Sequence, residues 1–295
     1  VKLAFIQVAS WGDCCNSTMM FRPLLNKYVG AQLHVFTSIP YQSAFLNNPL
    51  ITAIHASPAA GKHEAFSLYD TLPDQVRKMG IFDKIYCPAP ILMGGRRNSL
   101  RHPEVGENLW CSFWRALEED DVPYEIPLLA EITLTVMEQA SAKYFLSQMQ
   151  KPKAGKKRVL MECYAESGQT YWNEQWMDQV ARLLLDQGHQ VILSNKSSTK
   201  AISALVKAGA ILVTLPLREC IEIFNHSDMF ISISSGFCNA CRSTAATKSD
   251  GIWLEAVNSP TVSSRTLVRK GATGVNEFYY ENDLKGFLRL VRKHV

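Results

Sequence analysis

In the stretch "SWGDCC", residues 10–15, one acidic side chain lies between the apolar run "LAFIQVA" and the helical stretch "NSTMMFRPLLNKY". A carboxylate in a strand-to-helix turn has two uses. It can complement the partial positive charge of the helix start, or it can project from the loop as a general base. Asn16 and Ser17 are placed to cap a helix beginning near residue 18, which frees Asp13 for the second use.

Other loops carry groups suited to anions. After "RVLMECYA" comes "ESGQTYW", with Ser167, Gly168 and Thr170 ahead of a helix; after "DMFISIS" comes "SGFCNAC", in which Ser234, Ser235 and Gly236 open one. Backbone N–H groups and hydroxyls at helix starts suit a phosphate or pyrophosphate. The same residues also serve as plain helix caps. Lys196, after "QVILSN", adds a cation. The loop "GGRRNSLRH", residues 94–102, holds Arg96, Arg97, Arg101 and His102. Guanidinium groups there could grip a phosphate or carboxylate, and a solvated surface loop is the plain alternative.

The eight cysteines (14, 15, 87, 111, 163, 220, 238, 241) show no disulfide framework, and free thiols are expected. Cys238 and Cys241 form one CxxC with neither a second pair nor a histidine at ligand spacing, so no metal is expected. Two small buried residues on one helical face explain them.

These loops must hang on a scaffold, and apolar periodicity supplies it. Strands are expected at residues 2–8, "AQLHVFTS", "ITAIHAS" and "DKIYCPAP", with helices between them. Strand, helix, strand succession requires a parallel sheet. "KPKAGKKR", residues 151–158, breaks the pattern with five basic residues in eight and reads as a linker. Residues 1–150 and 159–295 are then two α/β domains. The second alternates five strands, from "RVLMECYA" to "GIWLEAV", with four helices, the pattern of a doubly wound sheet. The last helix, "ENDLKGFLRLVRKHV", could cap either domain, and its basic end could favour an anionic membrane.

Composition excludes several classes. The 295 residues are 47% hydrophobic and 20% charged, with a net charge of +4, an ordinary globular balance. Mild charge and basic clusters without interleaved aromatics argue against nucleic acid as a partner. The first loop has one glycine and no GxGxxG, against a dinucleotide enzyme, and no GxSxG elbow marks a hydrolase. The first apolar run is too short to span a bilayer and lacks a basic leader, so a cytoplasmic location is expected.

Taken in order, strand, Gly12-Asp13, "FRPLLNKY", a second strand, "FLNNPLITAI", then "WNEQW", "QVILSN" and "HSDMFISISSG" resemble the family 9 glycosyltransferases, the heptosyltransferases of lipopolysaccharide core synthesis. The resemblance implies a GT-B fold of two Rossmann-like domains, the first binding acceptor and the second a nucleotide sugar, with no metal or cofactor. It implies that Asp13 is the general base of a single inverting displacement. With the second domain on the nucleotide sugar, the loop residues Ser167, Gly168, Thr170, Lys196, Ser234, Ser235, Gly236 and Asn239 are the expected donor-binding residues. Arg96, Arg97 and Arg101 fall to an anionic glycan or glycolipid acceptor, with peripheral contact at the inner membrane. The chain departs from the family at Ser234 and Asn239, where Asp and His are usual, and in having Gln169 and Thr170 near a common lysine position. Two other readings remain: a nucleotide-sugar epimerase of the same fold, and an inactive relative serving as a binding subunit.

Overall fold

A computed structural model of the chain describes residues 1–88, 129–163, 174–194, 199–233, 235–247, 252–257, 276–281 and 283–295. The chain divides into two compact units, one running to Thr133 and the other starting at Leu134.

The first unit is a parallel sheet in the order β3-β2-β1-β4, from β1 (Lys2–Ile6), β2 (Gln32–Ser38), β3 (Ala53–Ser57) and β4 (Lys84–Tyr86). Central β1, "KLAFI", is buried from its second residue on, as a strand covered on both faces must be. Alternate residues serve opposite faces. Ala4, Ile6 and Phe36 meet Tyr69, Leu72 and Val76 of α3 (Lys62–Met79) on one face. On the other, Phe5 meets Phe21 edge to face at 5.1 Å, and Phe21 stacks on Phe45 at 6.1 Å. Helix α3 stops at Gly80, whose φ of +66° lies in the left-handed region that glycine tolerates.

The first crossover differs from the predicted helix near residue 18. Helix α1 spans Trp11–Ser17, a 3-10 turn covers Thr18–Met20, and α2 spans Phe21–Lys27. Asn16 and Ser17 lie inside α1, buried, so neither caps a helix starting at 18.

The second unit holds six parallel strands in the order β10-β9-β8-β5-β6-β7. They are β5 (Arg158–Glu162), β6 (Gln190–Ser194), β7 (Ile211–Val213), β8 (Met229–Ile233), β9 (Ile252–Val257) and β10 (Asn276–Glu281), the last not predicted from sequence. Helix α4 (Val136–Ser147) precedes β5; α5 (Glu174–Asp186), α6 (Lys200–Lys207), α7 (Leu217–Asn225) and α8 (Gly236–Ala240) follow in turn, and α9 (Leu284–His294) ends the chain. Amphipathic α9 spends its apolar face inside this unit. Phe287 and Val291 are fully buried in the same core as Trp176 of α5, while Arg289, Arg292 and Lys293 stay exposed. Helix α4 packs on α7, where buried Arg218 makes a two-pronged ion pair with Glu138, Nε to Oε1 at 2.5 Å and Nη2 to Oε2 at 3.1 Å. No described helix is long and apolar enough to cross a membrane.

Both sheets reverse direction of growth beside their first strand, between β1 and β4 and between β5 and β8. Open parallel sheets bind ligands outside the carboxyl ends of the strands at such switch points. The loops after β1, β5 and β8 are among those singled out from sequence.

Candidate active site

Asp13 sits at the third position of α1, and Ser10, extended at φ −88° and ψ −179°, is the residue that opens the helix. Both the Ser10 amide and its hydroxyl donate to Asp13 Oδ2, at 3.3 and 3.0 Å. Asp13 therefore does serve the helix start, correcting the expectation that Asn16 and Ser17 leave it free. That use occupies one oxygen. Among the described residues no hydrogen bond reaches Oδ1, and the side chain is only partly covered.

Burial by the surrounding protein pushes the Asp13 carboxyl above its ordinary value, while the Ser10 amide, the Ser10 hydroxyl and the Lys62 ammonium pull it partly back. Lys62, in the first turn of α3, is a neighbour that sequence did not flag; proximity across the fold carries no local signal. Cys14, beside Asp13, is no competing nucleophile. Burial, then the adjacent Cys15 and Asp13, hold its thiol well above the usual range.

The segment before Asp13 is held tightly. Trp11 donates its indole N–H to Ser43 Oγ at 2.9 Å, and the Cys14 amide returns to the Ser10 carbonyl at 2.9 Å. Ser38 and Tyr69 hydroxyls bond the backbone at Val8 and Ala9.

In the second unit, Ser235 opens α8 in extended geometry, φ −144° and ψ 171°, with Gly236 as first helical residue and Asn239 partly exposed in the same helix. The Ser235 hydroxyl is committed on both sides: it accepts from the Cys238 amide at 3.0 Å and donates to Glu162 Oε1 at 2.6 Å. Glu162, only 4% exposed at the carboxyl end of β5, is a second residue that sequence did not flag. Its charge helps hold the Cys163, Cys220 and Cys241 thiols above their usual value, burial being the larger cause in each, with Cys220 pushed up to about 12. Cys238 and Cys241 are both fully buried. Among the described residues no cluster of His, Cys, Asp or Glu could hold a metal ion. Ser167, Gly168, Thr170, Lys196, Ser234, Arg96, Arg97 and Arg101 lie outside the described residues.

No protein-family model and no curated protein matches this chain. Solved structures do. A family 9 glycosyltransferase from Veillonella parvula superposes with a TM-score of 0.69 at 13% identity, covering 100% of this chain and 90% of its own. The chain is built like a family 9 glycosyltransferase. The E. coli ADP-heptose lipopolysaccharide heptosyltransferase II gives 0.64 at 14% identity, covering 99% of this chain and 98% of its own. A Listeria monocytogenes protein ascribed to the UDP-N-acetylglucosamine 2-epimerases gives 0.54 at 10% identity, covering 98% and 86%. The predicted GT-B architecture of two parallel-sheet units is thus the observed one.

Proposed function

We propose that this chain is an inverting, metal-independent glycosyltransferase that moves a sugar from a nucleotide-sugar donor to a hydroxyl of a glycan or glycolipid acceptor. The observation that carries this reading is Asp13. One oxygen is anchored by Ser10, no described residue bonds the other, and burial raises the carboxyl above its ordinary value.

The reaction is a single displacement. Asp13 takes the proton of the acceptor hydroxyl as its oxygen attacks the anomeric carbon; the bond from that carbon to the diphosphate breaks and the nucleoside diphosphate leaves. Attack opposite the leaving group inverts the anomeric configuration. Backbone N–H groups around Ser235 and Gly236, with Ser167, Gly168, Thr170, Lys196, Ser234 and Asn239, take the donor, and its departing charge is stabilised there. Arg96, Arg97 and Arg101 take an anionic acceptor. Such an acceptor places the enzyme at the cytoplasmic face of a membrane as a peripheral protein. Heptose is not assigned, because Ser234 and Asn239 stand where the resembling family has Asp and His.

Support comes from a fold shared with glycosyltransferases along the whole chain. An epimerase shares it too, so product analysis decides. Proton NMR of the product is expected to show a sugar transferred with inverted anomeric configuration, only when acceptor is present and equally in EDTA. Conversion of the donor sugar without acceptor would instead establish the epimerase.

A further inference from the structure

Of the four residues between β1 and α1, Val8 and Ala9 are tied down by side chains from two other places in the fold and by Gln7 of the same segment. Tyr69, in α3 and 1% exposed, uses one hydroxyl twice: it accepts from the Val8 amide at 3.3 Å and donates to the Ala9 carbonyl at 3.1 Å. Gln7 Nε2 donates to that same carbonyl at 2.8 Å, and Ser38 Oγ at the end of β2 donates to the Val8 carbonyl at 2.6 Å. The next residue, Ser10, is the one whose amide and hydroxyl hold Asp13. A tyrosine is an odd choice for the apolar face of α3, where its neighbours in the core are Leu72, Val76 and Phe36. Burying a hydroxyl is unfavourable unless both its donor and its acceptor are satisfied, and here the backbone of Val8 and Ala9 satisfies both. Phenylalanine would fill the same space and do neither.

We infer that Tyr69 is a positioning residue: through Val8 and Ala9 it fixes the segment that sets Ser10 against Asp13, and so aims the carboxylate. This rests on the reading of Asp13 as the base. The hydroxyl stays protonated throughout the working range, because burial above all, with acidic neighbours that include Asp13, holds it well above the ordinary tyrosine value. It is a bonding group and takes no proton in the reaction. Groups that must hold a reacting atom within a fraction of an ångström need such support from packed, fully hydrogen-bonded neighbours.

The test follows the Asp13 carboxyl directly, by carbon NMR titration of protein labelled at aspartate, in wild type and Tyr69→Phe, with Asp13→Asn assigning the signal. Loosening Ser10 removes two bonds that favour the ionised form, so the Asp13 titration is expected to move upward by about 0.5 unit. With any nucleotide sugar that turns over, kcat is expected to fall about tenfold at unchanged donor KM. In the Asp13→Asn background Tyr69→Phe should cost nothing further, since it acts through that carboxylate. An unmoved Asp13 titration with normal kcat overturns the inference, as does an equal loss in both backgrounds. Should Tyr69→Phe reduce the yield of folded protein, Ser38→Ala removes another of these bonds, and an unmoved titration there overturns it equally. Full activity in Asp13→Asn would instead overturn the assignment of the base, a separate failure.

Discussion

Ser10 donates twice to one oxygen of Asp13, from its amide at 3.3 Å and its hydroxyl at 3.0 Å. A helix start is thereby satisfied with half a carboxylate. Both bonds favour the ionised form and oppose the burial that raises the group. Ser10→Ala removes the hydroxyl bond alone. The Asp13 value should rise, and the acid limb of the pH–rate profile should move to higher pH. Loss of the cap should also cost about 1 kcal/mol of stability. A pH–rate profile with a parallel urea melt checks both; an acid limb that stays in place contradicts the first.

The Glu138–Arg218 pair joins α4 to the second sheet's layer of helices. Burial pushes Glu138 up, but the Arg218 guanidinium, the Thr135 amide and the Thr135 hydroxyl outweigh it, and the carboxyl titrates below its ordinary value. A depressed carboxylate adds stability that is present above its unfolded value and is lost as pH falls through the folded one. Glu138→Gln should therefore cost about 3 kcal/mol at neutral pH, because a guanidinium 4% exposed loses its carboxylate. The deficit should vanish at low pH, where wild type has lost the charge as well. Melts at pH 7 and pH 3 measure it.

His34 and His55 lie on neighbouring strands with ring nitrogens 3.0 Å apart and rings stacked 9° from parallel. One N–H serves both rings, so the pair favours at least one neutral imidazole. Burial, then His55 and Lys2, lower the His34 value. A histidine held low makes its contribution above about 6.5, the ordinary unfolded value, and it is lost as pH falls through the lower folded one. The first unit should melt at lower temperature as pH drops from 7 to 5. His34→Phe should flatten that slope, and an unchanged slope would remove His34 as its cause.

Apolar runs made the two sheets legible, because buried parallel strands such as "KLAFI" and "RVLME" leave long hydrophobic signatures. Strand β10, "NEFYYE", escaped: it lies at the sheet edge, and its polar ends mask the run. The start of α1 was misplaced because Ser10, Asn16 and Ser17 are all good capping types, and only the fold decides which one caps. Asp13 was legible from its place after a strand. Glu162 and Tyr69 were not, since Glu162 meets Ser235 from 73 residues away and Tyr69 meets Ala9 from 60. No window along the chain contains either relationship.

Asp13→Asn tests the central claim most directly. An acid with a raised value makes the folded state hold its proton more firmly, so the ionised group costs stability at neutral pH, and less as pH falls through the raised value. The variant should therefore melt no lower than wild type. The decisive measurement is calorimetric titration of wild type and Asp13→Asn with ADP-, UDP-, GDP- and CMP-sugars, followed by transfer of whichever binds to glycan acceptors. The expected result is equal donor affinity in both proteins, with transfer reduced at least about a hundredfold in the variant. Equal transfer by both would contradict Asp13 as the base, and binding of no nucleotide sugar by either would contradict the glycosyltransferase itself.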